Sequence, residues 1–335
     1  MDRQSVAPPS YHQHTFTVAN SQGAGAACHN PYFRRTTQEH VPCVLKSGGS
    51  PVGQDSRIEW THHTFNPWWG CTRVSPACKY CYADSWAQRL GLDLWGDAAG
   101  RRFFSDAHWR EPYKWNKAAE AKGERRRVFC ASMADLFEDR DELNPWRERL
   151  WPIIEETTSL DWLLLTKRPE LVKSMVPWKR KWPSNIWLGT TAENQVWAKE
   201  RIPHLLKIPA RVRFVSCEPL LGPLNLQKWL SAPGEKKGLH WVIAGGESGS
   251  KARPMNPEWA ESLRDQCLES GTAFHFKQWG HWGPESAADR KAAQFVEMID
   301  SNHQPIVLYK LGKHATGRHL AGRTWDQFPE PDTQA

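Results

Sequence analysis

At 335 residues, 39% hydrophobic and 24% charged, the chain is long enough for one large α/β barrel or two ordinary domains and can bury a substantial core. Eight cysteines are too sparse for a disulfide scaffold, and no apolar run reaches the roughly 20 residues that cross a bilayer, so a soluble protein of the reducing cytoplasm is expected. The formal charge of +7 favours an anionic partner, a nucleic acid or a phosphorylated substrate, against the plainer reading of a solvated basic surface.

Residues 1–55 are rich in Ser, Gly, Gln, His, Pro and Thr without a period of 3.6 or 2, which predicts a disordered or loosely ordered extension; Cys28 and Cys43 lie in it and are assigned no site. From Arg57 short β-prone runs alternate with helical segments, the pattern of a βα-repeat protein with a parallel sheet. The predicted strands are Arg57–Thr61, Val128–Ser132, Trp162–Thr166, Ile186–Thr190, Val212–Ser216, Trp241–Gly245 and Ala273–Phe276. Between them apolar residues recur at helical spacing over Tyr82–Leu90, Asn144–Thr157, Glu193–Leu206 and Pro257–Ser270. The last has Asn256 as its cap, proline in its first turn and Gly271 as its stop.

Seven such units imply a (β/α) barrel, complete or partial, over residues 56–280, with a C-terminal extension, 281–335, packed on it. Gly91–Arg127 and Gly280–Ala335 interrupt the rhythm and read as decorations. Twenty tryptophans, spread from Trp60 to Trp325, belong to the core or line a cavity more readily than they form a base-stacking platform.

In a parallel barrel the βα loops converge at the C-terminal ends of the strands, and that is where chemistry sits. The first predicted strand is followed by a run holding Cys71, Cys78 and Cys81, and the later ones by Asp135, Lys167-Arg168, Glu193-Asn194, Glu218-Pro219, Gly246-Glu247-Ser248 and Lys277-Gln278. These loops are expected to ring one polar cavity. Individual members have plainer alternatives: Asp135 a turn or cap, Lys167-Arg168 a solvated cap, Glu193 an acid in the first turn of a helix. Glu218 and Glu247 are the strongest candidates for chemistry, the latter beside Gly245 and Gly246, which allow close backbone approach to a ligand.

Three thiolates without an evident fourth resemble an incomplete coordination shell. Structural zinc usually takes four protein ligands, whereas a 4Fe-4S cluster on three cysteines keeps one iron open. Zinc closed by a distant residue such as His62 or His63 is the alternative.

The landmarks from Ile58 through Pro254, among them Asn66-Pro67, Gly70-Cys71, Cys81-Tyr-Ala83, Ser132-Met-Ala-Asp135, Leu165-Thr-Lys-Arg-Pro169, Gly189-Thr190, Glu218-Pro-Leu-Leu-Gly-Pro223 and Gly245-Gly-Glu-Ser-Gly249, resemble a phage- and prophage-associated three-cysteine-motif family of unassigned function. That family in turn resembles radical S-adenosylmethionine enzymes. Their usual spacing is Cys-x3-Cys-x2-Cys, and here the first gap is six residues. The resemblance implies a TIM-barrel-like fold in which Cys71, Cys78 and Cys81 hold a 4Fe-4S cluster and S-adenosylmethionine binds the fourth iron, one electron releasing a 5'-deoxyadenosyl radical. It further implies an electron-donor protein, with Tyr80 packing on adenine. The further candidates for binding the cofactor are Thr190, Gly245, Gly246, Glu218 and Glu247, although Gly245-Gly-Glu247 comes much later in the chain than the glycine-rich cofactor motif of the radical enzymes and its role is not carried over from them; Asp135, Lys167, Glu218 and Glu247 are the catalytic candidates. The competing function is a zinc-stabilised nucleic-acid-binding protein whose Arg125–Arg127 and Lys179–Lys181 runs contact phosphates. Neither reading sets an oligomeric state.

Overall fold

A computed structural model describes residues 53–54, 56, 58–232, 234–235, 237–284 and 294–329. The expected extension up to residue 52, with Cys28 and Cys43, lies outside them.

One sheet runs in sequence order through β1 (Gly53–Gln54), β2 (His63–Thr64), β3 (Arg126–Cys130), β4 (Leu160–Thr166), β5 (Ile186–Thr191), β6 (Val212–Cys217), β7 (Trp241–Gly245) and β8 (Ala273–Gln278). The short β1 is antiparallel to β2, and β2 to β8 are all parallel. The helices α1 (Tyr82–Arg89), α2 (Asp106–Trp109), α3 (Glu111–Glu120), α4 (Asn144–Glu156), α5 (Val172–Met175), α6 (Gln195–Leu206) and α7 (Pro257–Ser270) fall between the strands. After β8 come β9 (Trp282–Pro284), β10 (Phe295–Ile299) and β11 (Pro305–Lys310), an antiparallel sheet in the order β10-β11-β9, and the short α8 (Lys313–Thr316).

This is an α/β partial barrel. Its curl follows from side-chain contacts: β2 and β7 stand five strand spacings apart, about 24 Å on a flat sheet at about 4.8 Å each. Yet the ring of Trp60, just before β2, meets that of Trp241 on β7 at 6.2 Å. Inward positions alternate along the strands as Phe129, Leu163, Trp187, Phe214, Trp241 and Ile243, and pack with Trp60 into an inner core. The outward set, including Trp162, Leu164, Leu188, Val215, Val242, Phe274 and Phe276, packs under the helices in a larger core. Burial on both faces explains why these strands read as unbroken apolar runs. Gly189 leaves room for the Phe214 ring, which an added Cβ would meet at 2.4 Å.

The chain covers its own open edges. β1 lies on β2, while on the β8 edge Phe276 N–H donates to Trp325 O and Gln327 N–H to Phe274 O. Phe328 then closes the floor, against Trp241 at 5.1 Å and under the Arg127 guanidinium at 3.9 Å.

Two expectations need correction. The first parallel strand is His63–Thr64, not Arg57–Thr61: Ile58 and Trp60 carry a strand-like alternation because they pave the barrel floor. Gly91–Arg127 is not decoration either, since it supplies α3, the crossover from β2 to β3, and sends Trp109 and Trp115 into the larger core.

Trp241 is fully buried among Trp60, Trp187, Phe214, His275 and Phe328. Trp241→Ala should lower unfolding free energy by about 3–5 kcal/mol in denaturant titration. His275 beside it is pushed down from 6.5 to about 3 by burial, partly opposed by Asp326. The stability gained by keeping it neutral is whole above pH 6.5 and is lost as pH falls toward 3. His275→Phe should therefore flatten the acid decline of unfolding free energy below pH 6.5 by about 1.4 kcal/mol per pH unit.

Candidate metal and active site

The three cysteines ride on the loop from β2 to α1. Its stem is pinned to the segment after β3: the Asn66 side chain accepts from Met133 N–H at 2.7 Å, and Gly70 N–H donates to Met133 O at 3.0 Å. Gly70 has φ +111°, and an added Cβ would strike Leu94 O at 2.5 Å, so only glycine fits immediately before Cys71. One turn of 3₁₀ helix, Pro76–Cys78, follows, and Cys81 stands at the N-cap of α1.

The six residues between Cys71 and Cys78 are gripped by charged side chains from around the barrel. From the end of β4, Arg168 donates to Thr72 O at 2.9 Å and sets its guanidinium 3.9 Å from Cys71 Sγ. Arg101, buried with Glu138 at 2.6 Å, donates to Thr72 Oγ1. After β5, Glu193 accepts from Ala77 N–H at 3.2 Å and pairs with Arg201 at 2.9 Å. In the loop after β7, Arg253 donates to Pro76 O at 3.1 Å and pairs with Glu247 at 2.5 Å.

Glu193 precedes the cap residue Asn194 and so lies outside the first turn of α6; it is a strut for the cysteine loop, not a macrodipole acid. Asp135 has a similar duty. Its oxygens accept from Thr166 Oγ1, Phe137 N–H, Lys167 N–H and Arg168, which fills its acceptor sites and aims Arg168 at Cys71. Burial opposes its charge, but Arg168 and these donors hold its carboxyl below the usual carboxylate range.

The loop roofs a cavity of about 400 Å³, within the range of small-molecule sites. Cys71, Cys78, Cys81 and Tyr80 border it on one side, and Asp135, Lys167, Glu218, Gly246 and Glu247 from the strand ends. Thr190 and Gly245 do not. The Thr190 hydroxyl is buried in the sheet on Thr166 O, and Gly245 lies in β7 against β8. Gly246 allows a close approach, but to β8 and not to a ligand: an added Cβ would meet Trp279 O at 1.9 Å.

Glu218 faces the cavity with both oxygens 2.8 Å from Lys277 Nζ and one 3.2 Å from Gln278 Nε2. Glu247 is more enclosed, and all its side-chain bonds go to Arg253, whose guanidinium lies 5.2 Å from the Tyr80 ring. The Lys167 ammonium has no ion-pair or hydrogen-bond partner among the described residues.

Burial pushes the Cys71 thiol up to about 12, with Asp135 adding to the shift and Arg168 opposing it. Burial raises Cys81 as well, against the N–H groups of Asp84 and Ala83 at the start of α1. Empty of metal, these groups are thiols, and a metal would displace their protons on binding. The donor set is soft, three sulfurs beside open space, which suits iron or zinc. Among the described residues no three His, Cys, Asp or Glu converge as on a single ion.

Arg168, Lys277 and Gln278, which the strand-end positions already marked in the sequence, also line the cavity. Nothing in the sequence marks Arg101, Arg253 or Lys313, the last of which reaches the cavity from α8. The Arg125–Arg127 run is spent on structure, pairing with Asp161 and Glu124 and stacking on Phe328.

No helix among the described residues is long and apolar enough to cross a membrane. No curated protein matches the chain. Among solved structures it is similar to a double mutant of spore photoproduct lyase with bound AdoMet and dinucleoside spore photoproduct, at 13% identity and a TM-score of 0.40, over 75% of this chain and 69% of that one. A cysteine-to-serine mutant of the same lyase gives 13% identity and a TM-score of 0.40, over 74% and 68%. The lyase complexed with dinucleoside spore photoproduct gives 13% and 0.39, over the same shares. The profile described as protein of unknown function, DUF5131, matches residues 55–329, and the chain belongs to that family.

Proposed function

We propose that Cys71, Cys78 and Cys81 hold a 4Fe-4S cluster, that S-adenosylmethionine binds beside it, and that the chain is a radical S-adenosylmethionine-type enzyme acting on an anionic substrate. The observation that carries this reading is the convergence of three thiols from one rigidly tethered loop on one cavity at the C-terminal ends of the strands. When bound, the cluster and cofactor supply one-electron cleavage of a carbon–sulfur bond and hydrogen abstraction.

The chain's own residues do the rest. Lys167, on the cavity wall without a carboxylate partner, is placed to take the cofactor carboxylate. Tyr80 offers its ring to the adenine, with the opposing guanidinium of Arg253 fixing it. Glu218, oriented by Lys277 and Gln278, keeps acceptor capacity for a hydroxyl or amino group. Arg168 puts positive charge on the Cys71 sulfur, which favours a thiolate ligand and raises the potential of a cluster held there.

Anaerobic purification and reconstitution should yield a brown protein with about four irons per chain, lost in Cys78→Ala, and 5'-deoxyadenosine on reduction with S-adenosylmethionine. A colourless protein holding stoichiometric zinc under the same conditions contradicts the proposal and supports the zinc-stabilised alternative.

Two glutamates should separate holding from chemistry. Glu193→Gln strips Arg201 of its buried partner and frees the 3₁₀ turn, so it should cost about 3–5 kcal/mol of stability and lower iron content together. Glu218→Gln should keep the iron and the melting temperature while cutting 5'-deoxyadenosine formation by about tenfold or more. Equal iron loss in both variants would count against this division.

A further inference from the structure

Resting on the cluster-bearing cavity proposed above, we infer that its substrate is single-stranded nucleic acid, bound by Lys313 and Gln278 within the cavity and by the exposed aromatic face of α1 at its rim.

The first observation is a charge ledger. Every carboxylate on the cavity wall has its own cation: Asp135 has Arg168, Glu218 has Lys277 and Glu247 has Arg253. Arg73 at the mouth is held by Asp84. Lys167 and Lys313 remain, bordering the same space without a carboxylate among the described residues. Among the described residues the cavity therefore carries two positive charges without a paired carboxylate. Lys167 directly follows β4 and is the one assigned above to the cofactor carboxylate. Lys313 enters from α8, beyond the antiparallel sheet, and is left for the substrate.

The second observation is an acceptor without a donor. Gln278 borders the cavity at 3% exposure, and its Nε2 donates to Ser248 Oγ and Glu218, which leaves Oε1 without a donor among the described residues. A ligand N–H beside the anionic group would satisfy it, and nucleobases carry such groups.

The third is at the rim. Tyr82 and Trp86, 53% and 47% exposed, stand on one face of α1, and Leu90 continues the line. Successive positions of this stripe are about 6 Å apart along the helix. Tyr82 also borders the cavity, and its hydroxyl donates to Ser132 O at 2.7 Å, so the ring is fixed at the mouth. Lys79 and Arg89 flank the stripe, exposed and without carboxylate partners among the described residues.

Aromatic faces interleaved with free cations are what a single strand needs, bases to stack and phosphates to pair. A duplex hides its base faces, and an acidic peptide would use the cations but not the rings. A lone nucleotide would fill the cavity without reaching Trp86.

Fluorescence polarisation of a labelled short oligothymidylate, titrated with the full anaerobically reconstituted chain at about 50 and 200 mM salt, tests the inference. Binding should weaken steeply with salt and fall about tenfold or more in Lys313→Glu and in Trp86→Ala. A duplex of equal length and thymidine monophosphate should both bind far more weakly. Iron content on the same samples separates the two proposals. Iron-loaded wild type that ignores the oligonucleotide at low salt overturns this inference and leaves the cluster reading standing. Unchanged affinity in both variants, or equal affinity for duplex, also overturns it. An iron-free chain that still binds with these variant losses supports the subsite and overturns the cluster.

Discussion

The cysteine loop has a single 3₁₀ turn of its own, so its shape is imposed by the barrel through buried charges. Arg168, Arg101, Glu193 and Arg253 each bond its backbone or hydroxyl groups, and each is itself held by an opposite charge, Asp135, Glu138, Arg201 and Glu247. A buried pair of this kind gains little over an apolar substitute, but removing one partner strands a charge and is costly. The arrangement therefore specifies position more than it adds stability. Everything the site offers depends on it, because three thiols on an untethered loop would not face one cavity.

The long first gap of the cysteine motif acquires a physical meaning from this. Thr72, Pro76 and Ala77, all within it, are the residues that the charged side chains hold. A shorter gap would present fewer backbone groups to them. The same pairing leaves the cavity's own carboxylates neutralised in place, so among the described residues its unspent charge is positive, in keeping with the basic balance of the whole chain.

Much of the barrel was legible because β4 to β8 are buried on both faces and appear as apolar runs, and because α7 carries its cap, proline and stop. The first strand was misplaced because Ile58 and Trp60 alternate like a strand while serving as floor. The crossover helix α3 was hidden by Pro112 near its start and by burying only Pro112, Trp115 and Ala119 along an otherwise polar stretch. At the site, the cysteines, Lys167, Glu218 and Glu247, all at or after strand ends, line one cavity. Strand-end position could not say where each side chain turns. Glu193 turns to the loop, and Asp135 meets Arg168 across 33 residues, a pairing that no local pattern encodes. Glu193–Arg201 and Glu247–Arg253 are closer in sequence, yet nothing in the spacing separates a strut from a ligand group.

On the proposed reading, the tethered cysteines leave one coordination position of the cluster open to the cavity. Electron paramagnetic resonance of the reduced, reconstituted protein, recorded with and without S-adenosylmethionine, addresses that position directly. A reduced 4Fe-4S signal that shifts when S-adenosylmethionine is added is the predicted result. A cluster signal that is indifferent to S-adenosylmethionine, or no cluster signal at all, would contradict it.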